Sequence, residues 1–375
     1  MNRVYAVATN IVSSLGMSTA ANWHAVANGV AGIKRYEDTS LSNNPFMASK
    51  PGPDQWQVIY EQTKGSVTLS PFERLALYSA KDALRNCEVD LKPEETIFIL
   101  SSTKGNIELL GQSSEDKLML SYSANNISRE LGLGSKPIVI SHACVSGVIA
   151  LNYGLRLIQS GRYENVIVTG CDRFSRFVLS GFQSFQAISD EPCRPFDEAR
   201  KGINLGEAAG TIILSSQAGH NPIASLLSGA TSNDANHISG PSRTGEELAM
   251  AISRAIGEAG IEASAVDMVS AHGTATMYND EMEAKAFGLS GLLHSEVHSF
   301  KGYTGHTLGA AGVVESAMVA EAIKRQLLIP SPGYENNGVS QQLKITTTMK
   351  PAAINYVLKT ASGFGGCNAS VVWGR

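Results

Sequence analysis

The sequence predicts an α/β protein made of two closely packed halves. Three observations carry that expectation. Apolar, strand-like runs alternate with helix-like runs along the whole chain. Of 375 residues, 43% are hydrophobic, which is ample for a large core. No linker rich in Pro, Ser or charge divides the chain, and the turn Gly-His-Asn-Pro at 219–222 is the best junction. The expected halves are residues 1–218 and 219–375.

The elements follow in order. Residues 4–8 (VYAVA) read as a first strand and the loop after it ends at Gly16. The same stretch is a poor secretory signal, because its apolar run is short and no good cleavage site follows. Residues 38–66, rich in Ser, Asn, Pro and Gly, read as a surface excursion. A helix is expected at 71–86, then strands at 96–100 (TIFIL) and 137–141 (PIVIS). Residues 145–159 place Val145, Val148, Ile149, Leu151, Leu155 and Ile158 almost all round a helix, as buried helices do. Strands follow at 165–170 and 210–215. The helix at 245–259 carries a stripe of Leu248, Ala249, Ile252, Ala255 and Ile256 and stops at Gly257 to Gly260. Strands at 267–271, 297–301, 354–360 and 369–373 alternate with helices at 279–287 and 309–326. No short internal repeat is visible.

Composition excludes several function classes. The net charge is −4 with no long charge run, so neither a nucleic-acid footprint nor a polybasic membrane patch is present. No run approaches the length of a membrane helix. Five cysteines, at 87, 144, 171, 193 and 367, are an odd number without CxxC spacing. That argues for a reduced, cytoplasmic setting rather than a disulfide framework or a structural zinc site.

Four stretches carry chemistry. SHACVSG (141–147) sets Cys144 at a strand-to-helix turn, where unpaired N–H groups and the helix dipole would favour a thiolate. A small buried thiol is the bland alternative. His272 lies just past the strand at 267–271, Lys301 ends the strand at 297–301, and His306 opens a helix. ASGFGGCNAS (361–370) is a Gly-rich turn between two strands. Each is weak alone. Together they put polar groups at the C-terminal ends of buried strands, where sites collect in α/β sheets. A cysteine with two imidazoles suits acyl transfer through a covalent thioester.

These motifs, in this order, resemble those of the β-ketoacyl-acyl-carrier-protein synthases, the condensing enzymes of fatty-acid and polyketide synthesis. HACVSG resembles the nucleophile motif, SAHGTAT the first histidine motif, KGYTGHTLGAAGVVE the lysine–histidine motif and GFGGCN the C-terminal glycine motif. CRPFDEARKGINLGEAAG (193–210) and VSSLG near the N-terminus also fit, so the resemblance runs from about residue 3 to 373.

The resemblance implies the thiolase fold: two similar α/β halves stacked as five layers, α-β-α-β-α. It implies a homodimer or a heterodimer with a related synthase subunit. It also implies substrates carried on the phosphopantetheine of acyl-carrier protein, with no cofactor held by the enzyme itself; His24, His142, His220, His294 and His298 show no ligand spacing, so no catalytic metal is expected. Cys144 would take the acyl chain, and the N–H groups of Cys144 and Phe364 would form the oxyanion hole. His272 and His306, both neutral, would donate to an enolate. Lys301 would orient its surroundings, paired with Glu315. Thr274 and Thr276 would bind the pantetheine arm, and Phe364, on a turn freed by Gly363, Gly365 and Gly366, would gate the cysteine.

Three departures stand out. Val145 follows the nucleophile, Cys367 replaces the usual Thr, and the segment at about 103–130 is short and polar. A thiolase is the rival on the same fold, but Cys367 follows FGG rather than preceding it. A non-catalytic chain-length-factor subunit is the rival of another class, and such subunits usually lose the nucleophile. His237 is expected to be structural or near the entrance. Arg194 and Asp197 are expected to fix a loop by an ion pair.

Overall fold

The computed structural model describes residues 3–65, 68–235 and 240–375; His237 lies outside them. Among the described residues, eleven strands form one sheet. In chain order they are β1 (Tyr5–Val12), β2 (Thr96–Ser101), β3 (Ile138–Ile140), β4 (Asn165–Asp172), β5 (Ala208–Ser215) and β6 (Ala224–Asn233). The second half adds β7 (Met268–Ser270), β8 (Glu296–His298), β9 (Lys344–Ile345), β10 (Tyr356–Gly363) and β11 (Cys367–Gly374).

The spatial order is β9-β8-β7-β10-β11-β6-β1-β5-β4-β2-β3. Read outward from the centre, the two sides match. From β1 the pairings to β5, β4, β2 and β3 are antiparallel, antiparallel, parallel and parallel. From β6 the pairings to β11, β10, β7 and β8 repeat that series. The seam is two antiparallel pairs, Tyr5 with Ser225 and Ala6 with Ala224. A duplicated strand order thus exists without a visible sequence repeat, because topology is kept by burial pattern rather than by residue identity.

Helices complete the layers. They are α1 (Pro71–Arg85), α2 (Leu120–Glu130), α3 (Ser146–Gln159), α4 (Arg176–Ser184), α5 (Glu246–Ala259), α6 (Met277–Leu289) and α7 (Ala311–Arg325). Helices α3 and α7 each touch strands of both halves and form the middle layer. They cross where glycine meets glycine: a Cβ on Gly147 would lie 2.8 Å from Gly312 N. Side chains there would force the helices apart. Helix α1 covers the first half of the sheet and α5 the second. Helix α7 is buried along almost its whole length, including the acidic Glu315, which signals a paired charge in the core.

Several expectations change. Residues 38–66 are not a bare excursion: they contain a strand, Phe46–Ser49, paired with Leu205–Gly206, and a helix, Pro53–Gln62. Strand β6 escaped notice because ASLLSGATSN is small and polar, and helices α2 and α4 because their apolar stripes are short. Lys301 does not end a strand. Strand β8 stops at His298, and Lys301 begins a helical turn, Lys301–Thr304.

Candidate active site

Cys144 stands between β3 and α3. Ala143, just before it, has a left-handed backbone with φ of 46°. That conformation costs a residue with a Cβ about 1–2 kcal/mol. It turns the chain sharply from sheet to helix. The turn is fixed by Ser146, whose Oγ donates to Ala143 O at 2.6 Å and accepts from His142 N at 2.7 Å.

His272 follows β7 on a loop held by two carboxylates of α6. The N–H groups of His272 and Gly273 donate to Glu283 at 2.8 and 2.6 Å, and that of Thr274 donates to Asp280 at 3.0 Å. Asp280 and Glu283 are three residues apart and so share one helix face. Burial pushes Asp280 up to about 7. His306 enters from the other side, its N–H donating to Asn204 O at 2.7 Å.

These loops converge. Cys144 Sγ and one ring nitrogen from each of His272 and His306 lie within 4.8 Å of one another. The two rings meet edge to face, 5.1 Å between centroids. Among the described residues, these same three groups are the set close enough to hold a metal ion.

Burial decides the protonation states. It pushes the Cys144 thiol up to about 12, against the pull of the Lys301 charge. Burial thus opposes the thiolate that the helix terminus favours. A helix N-terminus supplies at most about 2 kcal/mol, or roughly 1.5 pKa units, and desolvation outweighs it. Burial also drives both imidazoles well below their usual range, helped by the charges of Lys301 and Lys359. Both rings are neutral at physiological pH. Nδ1 of His272 and both ring nitrogens of His306 lack hydrogen-bond partners among the described residues.

Lys301 Nζ pairs with Glu315 Oε1 at 2.7 Å and donates to His272 O at 2.5 Å. It touches the backbone under the imidazole, not the reacting side chains. Thr274 and Thr276 are joined by a 2.8 Å contact between their hydroxyls. Both line a cavity of about 470 Å³ that also exposes Cys144, His272, His306 and Phe364.

The glycine turn reaches this site from the second half. Gly365 and Gly366 have φ of 90° and 73°, where other residues strain. Gly363 does not; there the constraint is proximity, since a Cβ would lie 3.1 Å from Cys144 N. Phe364 is 38% exposed at the cavity and packs on Phe182 and Phe185, with centroids 5.7 and 5.3 Å away.

Sequence reasoning missed Asp280, Glu283, Phe182, Phe185 and Lys359. Two acids three apart after HGTAT were a signal for the first pair. A lysine inside the strand-like run INYVLKT was one for Lys359, whose Nζ lies 2.5 Å from Glu315 Oε2. The expected pairing of Arg194 with Asp197 is also replaced. Arg194 lies 3.9 Å from Glu335, while Asp197 accepts the N–H groups of Ala199, Glu335 and Asn336.

Comparison with known proteins agrees with this geometry. Residues 1–220 match the model of the β-ketoacyl synthase N-terminal domain, and 223–335 that of its C-terminal domain. The chain is 28% identical to 3-oxoacyl-[acyl-carrier-protein] synthase 2 of Vibrio cholerae, covering 100% of this chain and 99% of that one. It is 27% identical to the protein of the same name from Staphylococcus aureus, covering 99% and 98%. Among solved structures, the ishigamide ketosynthase/chain length factor superposes with a TM-score of 0.90 at 25% identity, covering 100% and 99%. A β-ketoacyl synthase from Burkholderia phymatum shares the fold, with a TM-score of 0.88 at 24% identity over 100% of both chains. The five-layer thiolase fold is thus that of the ketosynthases, and this chain belongs to the β-ketoacyl synthase family.

Proposed function

We propose that this chain performs a decarboxylative Claisen condensation between an acyl chain held on Cys144 and malonyl-acyl-carrier protein. The observation that carries it is the meeting of a buried thiol with two neutral imidazoles at the floor of one cavity. The relatives are named for acyl-carrier protein, which supports that carrier as partner.

In the first half-reaction the Cys144 thiol attacks the acyl thioester. A neighbouring imidazole takes the thiol proton and passes it to the departing phosphopantetheine sulfur. The acyl–carrier bond breaks as the acyl–Cys144 bond forms. The resting thiol makes this proton transfer necessary.

In the second half-reaction the malonyl carboxylate leaves as CO₂ and its electron pair becomes an enolate. Neutral His272 and His306 donate to the enolate oxygen without the full charge of imidazolium, in a buried site where such donors count most. The α-carbon attacks the Cys144 thioester. N–H groups of Cys144 and Phe364 receive the oxyanion, and Cys144 leaves as a thiolate and takes a proton from solvent, the one proton that the net reaction consumes. The product is a β-ketoacyl chain two carbons longer.

Lys301, with Glu315, holds the His272 carbonyl and orients that ring. Thr274 and Thr276 offer hydroxyls to the pantetheine arm along the cavity. Phe364 gates the cysteine, and Gly363, Gly365 and Gly366 let its turn lie close to Cys144. No cofactor takes part. The division at 218/219 is proposed as the boundary between halves, supported by the repeated strand order. A cytoplasmic location and a homodimer or heterodimer with a related subunit complete the reading. Among the described residues, no helix is long and apolar enough to cross a membrane.

The test is intact-mass spectrometry with acyl-carrier protein as donor. Wild type should gain the acyl mass and Cys144→Ala should not. An acylated Cys144→Ala protein would overturn the assignment, and an inert wild type would favour a chain-length-factor role.

A further inference from the structure

Lys359 lies in the middle of β10 and is fully buried. Its Nζ donates to the carbonyl oxygens of Ser270 and Ala271, each at 3.2 Å, and of Thr360 at 2.7 Å. It pairs with Oε2 of Glu315 at 2.5 Å. Lys301 takes the other oxygen of that carboxylate and the carbonyl of His272. Two ammonium groups therefore flank one carboxylate and between them hold three consecutive carbonyls, those of residues 270, 271 and 272. That segment is the link between β7 and the His272 ring.

A buried ammonium is expensive, and an apolar residue would fill a strand interior at less cost. Of the carbonyls it holds, that of Ser270 ends β7 between β8 and β10, and that of Ala271 lies just beyond the strand. Burial lowers the pKa of Lys359, and Glu315 and Glu283 offset its charge. What sets it apart from a mere counter-ion is its geometry.

We propose that Lys359 is a positioning residue for decarboxylation: it fixes the peptide segment that aims His272 at the enolate and sets a second positive charge behind both imidazoles. This rests on the condensation proposed above. The charge acts among defined neighbours. Lys301 faces it from the turn after β8, Glu315 from α7, Glu283 from α6 and His298 from β8. The Lys359 charge also reaches the rings of His272 and His306. Burial holds His298 down to about 3, with the Lys359 and Lys301 charges adding to the effect. The same two charges act on His272 and His306. Removing Lys359 lets these rings take up protons at higher pH, so the acid limb of decarboxylation moves upward.

The experiment uses the full chain and two variants, Lys359→Met, which loses donor and charge, and Lys359→Gln, which keeps a donor only. Self-acylation from acyl-carrier protein and CO₂ release from malonyl-carrier protein are measured separately between pH 5 and 8, with folding followed by thermal melt. Lys359→Met should lose CO₂ release by on the order of 10-fold to 100-fold, the scale of a misplaced reacting group, while self-acylation falls clearly less. Lys359→Gln should keep more of the rate at pH 8 but show the same upward shift of the acid limb. Folded variants with unchanged CO₂ release and pH profile would overturn the proposal, as would equal loss of both half-reactions. If neither variant folds, Lys359 serves folding and the proposal is wrong. A wild type that self-acylates but releases no CO₂ would instead sink the condensation reading itself.

Discussion

The loop after β2 and the loop after β7 hold the same place in the two halves of the sheet. Both are held by buried carboxylates. After β2, Asp172 accepts the N–H group of Thr103 and the hydroxyls of Ser102 and Thr103, and it also takes the N–H group of Gly309, three residues after His306. After β7, Glu283 and Asp280 accept the N–H groups of His272, Gly273 and Thr274. Burial raises Asp172 and Glu283 alike, against hydrogen bonds that lower them. The device is shared, but only the second loop carries a reactive ring. Chemistry here is a side chain placed on a support that the fold uses twice. The first half supplies a thiol in an apolar corner, and the second supplies the charged floor.

The comparison can be broken most strongly at the ring. His272→Ala and His306→Ala should each lower CO₂ release by roughly 10²–10³, the usual cost of a lost donor to a developing anion. Self-acylation should fall less, because enolate charge arises only in the second half-reaction. Equal loss in both assays would remove the enolate role.

Next come the supports. Glu283→Gln should destabilise the protein by about 1–3 kcal/mol, the cost of mispairing a buried group, and slow CO₂ release as the ring is released. Asp172→Asn should cost similar stability yet leave CO₂ release per folded molecule close to wild type. Denaturant melts alongside both half-reaction assays decide this. A kinetic defect in Asp172→Asn as large as in Glu283→Gln would mean that the first loop also serves the chemistry.

The protonation contrast predicts a pH profile. With Cys144 pushed up to about 12, its thiolate fraction is small at neutral pH and grows with pH. Alkylation of Cys144 by iodoacetamide, followed by peptide mass spectrometry, should keep rising to pH 10. A plateau below pH 8 would show that the helix terminus wins after all.

The smallest effect concerns the gate. Phe364→Ala keeps its N–H, so self-acylation should stay within a few-fold of wild type. Malonyl decarboxylation in the absence of primer should increase. Primer dependence and chain-length profile matching wild type in a stable variant would leave Phe364 as packing only.

Much of the site could be read from the chain because its parts are short and local. Cys144 follows three apolar strand residues and precedes a helix whose apolar residues point all round; Glu315 lies fourteen residues after Lys301, on the next helix. Strand and helix periods fix such placements within a few residues. The motif order supplied the family.

What the sequence determined by itself was which side chains stand at or just beyond strand ends and therefore near a site. The tertiary structure decided the rest. Lys359 meets Glu315, and Gly363 meets Cys144, only because β10 is paired beside β7 and its end abuts the turn before α3. The burial that raises Cys144 also arises there. A helix terminus is a local feature, whereas desolvation sums over every atom that displaces water, and those atoms come from both halves of the chain.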